Sequence, residues 1–197
     1  MIVCLDLEGV LVPEIWMQFS RKTGIKELRL TTRDIPDYEA LMTRRIKLLK
    51  AHGLRLKDIQ NVIAKMRPLP GALSFLETLR SRRQVIILSD TFYEFAWPLM
   101  RRLHYPLLFC NSLAVDQKGF IRGWRLRQKD GKAKAVTALR KIGFEVVAAG
   151  DSYNDLTMLK RADRGVLFNP PESIAKAYPR FPVARTYSAL LSILTSC

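Results

Sequence analysis

Short apolar runs, each ending in a polar or glycine-containing turn and followed by a stretch of helical period, recur along this chain. They are Ile2–Leu5, Val85–Leu88, Val146–Ala149 and Val166–Phe168, with Leu107–Cys110 a weaker fifth. A strand that is apolar at every position must bury both of its faces, which is the situation inside a parallel sheet covered by helices on either side. The expected class is therefore α/β, with a Rossmann-like parallel sheet and helices on both faces. A chain of 197 residues with 48% hydrophobic side chains is long enough for one well-packed domain with a small insertion and too short for two full ones.

About 80 residues separate the first two runs, where a crossover normally needs a few dozen. Within that gap Glu14–Lys22, Tyr38–His52 and Lys57–Lys65 read as helices. Leu41, Ile46, Leu48 and Leu49 recur at helical intervals, Gly24 and Gly53 stand where helices should stop, and Pro36 breaks the pattern. Pro68-Leu69-Pro70-Gly71 then reads as a hinge before a further helix, Ala72–Arg80. Residues 12–69 are thus expected to form a small helical cap inserted after the first strand, with residues 1–11 and 70–197 as the core. A β-hairpin is expected between Leu113 and Arg127 around Gln117-Lys118-Gly119, and a helix over Ala133–Lys141.

The formal charge is +15, with a sequence pI near 10.1, a balance that ordinarily suggests nucleic acid or an anionic surface. Residues 101–140 alone carry ten basic against two acidic side chains. These basic residues are not interleaved with aromatics as a stacking surface requires, except weakly around Phe120 and Trp124, so nucleic acid is not the expected partner. The apolar content is too evenly spread for a disordered basic tail. Cys4, Cys110 and Cys197 form no CxxC pair and are odd in number, which argues against a disulfide framework or zinc site and for a reducing, cytoplasmic compartment. No apolar run approaches the roughly 20 residues of a membrane span, so no membrane association is expected. The run Ile2–Leu5 stops at Asp6, too soon for a signal peptide.

Polar residues cluster where these strands should end. Asp6 and Glu8 follow Ile2–Leu5, Ser89 and Asp90 follow Val85–Leu88, and Asp151, Asn154 and Asp155 follow Val146–Ala149. In open parallel sheets that edge binds ligands, so residues distant in sequence should meet there. The i, i+2 spacing puts Asp6 and Glu8 on one side of an extended segment, with Gly9 allowing close backbone approach. Asp151 and Asp155 are four apart, on one face as a helix starts, and both look toward Asp6. Taken singly, the first stretch is equally an acidic turn and the second a capped helix start; together, in the right strand context, they point to a site. Carboxylates converging on one edge repel unless a cation sits among them. Oxygen donors without histidine or cysteine point to a hard ion such as Mg²⁺, which is commonly shared between carboxylates and a substrate phosphate. His52 and His104 fit no pattern, and no GxxxxGK[ST] loop or kinase glycine loop occurs, which disfavours an ATP-dependent kinase.

Asp6-Leu7-Glu8-Gly9-Val10, Ser89 after Val85–Leu88, a lysine opening the helix near residue 132, and Gly150–Asp155 resemble, in order, the four motifs of the haloacid dehalogenase superfamily of phosphohydrolases. Asp6–Trp16, Thr31–Tyr38, Leu88–Phe95 and Gly150–Asp155 resemble its phosphoserine phosphatase branch, and within it the bacterial enzymes that also transfer phosphate from phosphoserine to homoserine. The resemblance implies Asp6 as nucleophile forming an aspartyl-phosphate, and Glu8, where the superfamily normally has Asp, as acid/base. It implies Mg²⁺ held by Asp6, the Glu8 carbonyl, Asp151 and, through water, Asp155. Ser89, Asp90 and Asn154 fall at the phosphate end. Lys132 is the chosen phosphate-binding lysine because Asp130 and Gly131 read as a helix start, with Lys129 and Lys134 as alternatives.

Glu14 and Arg45 match positions that bind the ammonium and carboxylate of phosphoserine. Trp16, Phe19 and Met42 are candidates to shape the pocket or simply to fill the core. A phosphatase for another small phosphate monoester is the alternative. A receiver-like signalling domain shares the acid cluster and lysine, but carries its phosphorylated Asp after a later strand and has no large insertion after the first.

Overall fold

The computed structural model describes residues 1–31, 34–35 and 37–196; the break expected at Pro36 and the thiol of Cys197 lie outside the described residues. Seven strands form one sheet: β1 (Ile2–Leu5), β2 (Gln84–Phe92), β3 (Leu107–Val115), β4 (Ile121–Arg125), β5 (Val146–Gly150), β6 (Arg164–Phe168) and β7 (Val183–Ala184). Their order is β4-β3-β2-β1-β5-β6-β7, and every neighbouring pair is parallel except β3 and β4. The chain leaves β1 for β2 on one side and later returns to β5 on the other. That reversal at β1 is where an open α/β sheet has its ligand crevice.

Strands β1, β5, β6 and the first part of β2 alternate between two apolar layers. Val3, Leu5, Ile87, Val147, Ala149, Val166 and Phe168 face one cluster, while Ile2, Cys4, Ile86, Leu88, Val146, Ala148 and Leu167 face the other. Helices α4 (Ala72–Arg80), α5 (Tyr93–Arg102) and α9 (Tyr187–Thr195) cover the first layer through Phe75, Phe95 and Leu190. Helices α6 (Gly131–Lys141), α7 (Leu156–Arg161) and α8 (Glu172–Ala177) cover the second through Val136, Leu159 and Ile174. Each fully buried aliphatic side chain of this kind contributes about 1.5–3 kcal/mol by leaving water. The α/β class follows from these two layers.

Between β1 and α4 the chain forms α1 (Ile15–Thr23), a short 3-10 turn (Lys26–Arg29), α2 (Tyr38–Ala51) and α3 (Leu56–Ile63). Gly24, at φ +74°, ends α1, and its amide returns to the Ser20 carbonyl. Met42, Leu49, Ile59 and Ile63 from these helices join the first apolar layer. The chain leaves and re-enters the sheet region side by side, because the Leu69 amide donates to the Leu11 carbonyl at 2.9 Å.

Three expectations change. Ser89 and Asp90 do not follow β2 but lie within it: the strand runs on past Leu88 through a register shift and pairs Phe92 with Asn111. The weak run Leu107–Cys110 continues to Val115, where it becomes the first arm of the expected hairpin. Helix α6 starts at Gly131, two residues earlier than its apolar pattern, after Asp130 in the left-handed region at φ +52°.

Candidate active site

Asp6 is the first residue past β1, and its amide donates to the Ala149 carbonyl of β5 at 3.0 Å, so the backbone itself pins it at the crevice. Its Oδ1 accepts the Leu7 amide at 2.7 Å and the Lys132 ammonium at 2.8 Å. Lys132 also reaches Asp155 Oδ1 at 2.8 Å and Asp90 Oδ2 at 3.7 Å, and is only 6% exposed. Burial works against that ammonium, but the charges of Asp155, Asp6 and Asp90 outweigh it and hold its pKa well above the usual lysine value. Of the three lysines left open by the sequence, Lys129 and Lys134 are exposed and Lys132 is the one buried among the acids.

Asp155 is wholly buried. Its second oxygen accepts the amides of Asp151 and Ser152, both at 3.1 Å, and the Ser152 hydroxyl at 3.0 Å. Carboxylate oxygens of Asp6, Asp151 and Asp155 lie within 4.8 Å of one another. Two glycines make this crowding possible: a Cβ at Gly9 would stand 2.5 Å from Asp151 Oδ2, and one at Gly150 would overlap the Asp155 carboxyl group. Burial and then the Asp155 charge push the Asp151 carboxyl up to about 7. Burial and the charges of Asp155 and Asp151 raise Asp6 well above its usual range against the pull of Lys132. An all-oxygen set of mutually repelling carboxylates suits a hard divalent cation such as Mg²⁺.

Glu8 stands apart from this trio. Its Oε2 accepts the Ile15 amide that opens α1 at 2.8 Å, and the Thr91 hydroxyl donates to the same carboxylate. Burial and the neighbouring Glu14 raise it to about 7, so near neutral pH it both gives and takes a proton readily. The Ser89 hydroxyl oxygen accepts the Thr91 amide at 3.2 Å and faces the same cavity.

That cavity, about 300 Å³, is lined by Asp6, Ser89 and Lys132 together with Glu14, Trp16, Met42 and Arg45, and Asp90 and Asn154 also belong to its wall. Arg45 is 8% exposed, not the surface residue that an isolated arginine on a polar helix suggests, whereas Arg44 beside it is exposed. Its guanidinium lies 4.4 Å from the centre of the Trp16 ring and donates to the Leu30 carbonyl at 2.8 Å, while its buried Nε has no hydrogen-bond partner among the described residues. Burial lowers its pKa to about 10, still charged at neutral pH, with Glu8, Tyr38 and Glu14 resisting the drop. Trp16 and Met42 line the cavity as anticipated; Phe19 does not, and belongs to the core.

Three contributors were not foreseen. Thr91 braces both Ser89 and Glu8, Ser152 braces Asp155, and Tyr38 walls the cavity. A signal for Tyr38 was present: Tyr38, Leu41, Met42 and Arg45 stand at i, i+3, i+4 and i+7 on α2, and all four line the cavity.

Residues 1–163 match the haloacid dehalogenase-like hydrolase family. Over 189 residues the chain is 55% identical to phosphoserine phosphatase ThrH of Pseudomonas aeruginosa, covering 96% of this chain and 92% of that one. It is 53% identical to a phosphoserine phosphatase of Pseudomonas syringae pv. tomato, covering 96% and 80% respectively. Among solved structures, one described as a phospho-aspartyl intermediate analogue of phosphoserine phosphatase superposes with a TM-score of 0.79 at 20% identity, over 98% of this chain and 97% of that chain; the likeness is one of fold.

Proposed function

The chain belongs to the haloacid dehalogenase-like hydrolases, and on that premise we propose that it is a Mg²⁺-dependent phosphoserine phosphatase working through an aspartyl-phosphate on Asp6. The observation that carries this reading is the pairing, in one cavity, of a buried Asp6–Lys132 contact at 2.8 Å with a buried Arg45 whose Nε has no hydrogen-bond partner among the described residues. The first suits a phosphoryl group and the second a carboxylate, and phosphoserine carries both. Residues 12–69 act as a helical cap that supplies the selecting groups to a core of residues 1–11 and 70–197. The relatives at 53–55% identity are named for phosphoserine hydrolysis, which supports the same reading.

In the first step an Asp6 carboxylate oxygen bonds to phosphorus as the bond to the serine oxygen breaks, and Glu8 delivers its proton to that departing oxygen. In the second, Glu8 takes a proton from water, the water oxygen attacks phosphorus, and Asp6 is released with inorganic phosphate. Lys132 and Ser89, with Asn154 at the wall, hold the phosphoryl oxygens and offset the charge that spreads over them, and of Asp90 only the backbone amide can join them, its carboxylate being anionic. Asp6, Asp151 and the Glu8 carbonyl would hold Mg²⁺ directly, and Asp155, its oxygens already engaged by Lys132 and two amides, through water. When bound, the ion supplies positive charge to the phosphoryl group. Glu14 and Arg45 receive the substrate's ammonium and carboxylate. Homoserine, whose hydroxyl is one carbon further out, presents the same two groups, so it can replace water in the second step and leave as phosphohomoserine. Buried, unpaired Cys4 and Cys110 suit the reducing cytoplasm in which such an enzyme works.

The test is phosphate release from L-phosphoserine with Mg²⁺. The wild-type protein turns over and Asp6→Asn does not; activity retained in Asp6→Asn overturns the mechanism. Homoserine added to the wild-type reaction yields phosphohomoserine, and its absence at saturating homoserine restricts the enzyme to hydrolysis.

A further inference from the structure

The hairpin β3–β4, in the most basic stretch of the chain, reaches out of the sheet and touches the inserted helices at two points. At its tip, the Gly119 carbonyl accepts the Leu56 amide at 2.9 Å, and the Arg55 guanidinium lies 5.2 Å from the centre of the Phe120 ring. On its second arm, Trp124 meets Tyr38 edge-to-face, with ring centroids 6.2 Å apart and planes at 86°. Trp124 packs in turn against the first apolar layer, so its ring is anchored in the core. Tyr38 is the first residue of α2 and stands two turns before Arg45 on the face that lines the cavity. Its hydroxyl shares the cavity with the charges of Asp90, Arg45 and Glu8. Tyr38 thus lines the same cavity as Asp6, Lys132 and Arg45 while its ring also meets a tryptophan more than 80 residues away in sequence.

We propose that Tyr38 is a specificity-determining residue, packing against the short carbon chain of an amino-acid phosphate ester, and that Trp124 is the positioning residue that holds its ring there. The proposal rests on the reading of the cavity as an amino-acid phosphate site. An edge-to-face pair fixes a ring's orientation as well as its burial, and a side chain held in advance binds more tightly than one that must be ordered on binding. Asp37, which caps α2 by accepting the Glu39 and Ala40 amides, fixes the backbone of the same turn. Ring and backbone at this corner are therefore both set before substrate arrives.

Steady-state kinetics of Tyr38→Ala, Trp124→Leu and the double variant, with phosphoserine and with p-nitrophenyl phosphate, test the proposal. Each single variant lowers the phosphoserine-over-p-nitrophenyl phosphate ratio of kcat/KM by about three- to tenfold, through KM for phosphoserine, as expected for loss of one aromatic contact. The double variant is no worse than Tyr38→Ala, because Trp124 acts through Tyr38. Trp124→Phe, which keeps an aromatic edge, restores most of the ratio, an effect that a merely structural role would not give. Effects that multiply in the double variant, or an equal KM rise on both substrates, overturn the proposal. If Trp124→Leu does not fold, Tyr38→Ala alone decides it by the same ratio. A wild-type protein that hydrolyses p-nitrophenyl phosphate but not phosphoserine overturns the reading of the site as well; active wild type with additive variants overturns only the Tyr38–Trp124 assignment.

Discussion

A methyl group at Gly9 would stand 2.5–2.7 Å from three atoms of the Asp151 carboxyl group, on a backbone at φ +80° that side-chain-bearing residues rarely adopt. Gly9→Ala therefore displaces the Asp151 carboxyl group from its place in the cluster without changing any charge. The expected result is a 10- to 100-fold loss of Mg²⁺ affinity, about the size seen when the support of a ligand is disturbed. Activity titrated against Mg²⁺ measures it, and an unchanged half-saturation concentration contradicts the placement of the ion. Arg45 tests the other end. Its guanidinium lies over the Trp16 ring and is bonded to the Leu30 carbonyl, so it is held in place before any ligand arrives. Charged hydrogen bonds contribute about 1.5–3 kcal/mol, so Arg45→Ala should raise KM for phosphoserine by roughly 10- to 150-fold. KM for p-nitrophenyl phosphate, which has no carboxylate, should rise far less. Equal effects on both substrates refute the selector role.

Helix α2 carries the face that lines the cavity, and its start depends on Asp37, whose Oδ1 accepts the Glu39 amide at 2.8 Å and the Ala40 amide at 3.3 Å. Asp37→Ala leaves those amides to water and should lower stability by about 1 kcal/mol, read as a lower urea midpoint at unchanged m-value; no shift means that the cap is redundant. The three inserted helices, the sheet class and the hairpin were legible because their patterns are local: helical spacing, glycine at helix ends, apolar runs of strand length. What escaped has equally physical reasons. The extension of β2 is written in polar residues, Ser89-Asp90-Thr91, which read as loop because the site needs their side chains there, yet their backbone continues the strand. Helix α9 has no charged residue to mark a solvent face, and α8 and β7 span only six and two residues, too short for any period to show.

Across the whole chain the positive charge and the acid cluster are opposite in sign and different in place. Fifteen net positive charges are carried largely by exposed side chains, while a few buried acids crowd the crevice. Asp6, Asp151 and Asp155 were legible in the sequence because they follow the ends of β1 and β5, and the pairing of those two strands was the one step needed to bring them together. Thr91 and Ser152 were not, because their roles depend on which side chain they brace. The crowding has a measurable cost. Asp151 rises from an ordinary value of 3.8 to about 7 in the fold. A carboxyl raised in this way contributes stability that is fully present below its unfolded pKa and is lost as pH rises through its folded one. In EDTA the melting temperature should therefore fall between about pH 5 and pH 8 as Asp151 ionises beside Asp155. Mg²⁺ reverses the sign of the effect by binding the ionised form. At about 100 times its Kd it adds about 2.7 kcal/mol, or roughly 5–10 °C for a chain of this size, and it adds more at pH 8 than at pH 5. Differential scanning calorimetry at both pH values, with EDTA and with Mg²⁺, measures all four corners. A melting temperature that is flat with pH in EDTA and unmoved by Mg²⁺ contradicts the acid cluster as the ion's site. Loss of the Mg²⁺ shift in Gly9→Ala, with the fall in EDTA retained, ties the effect to the contact between Gly9 and Asp151.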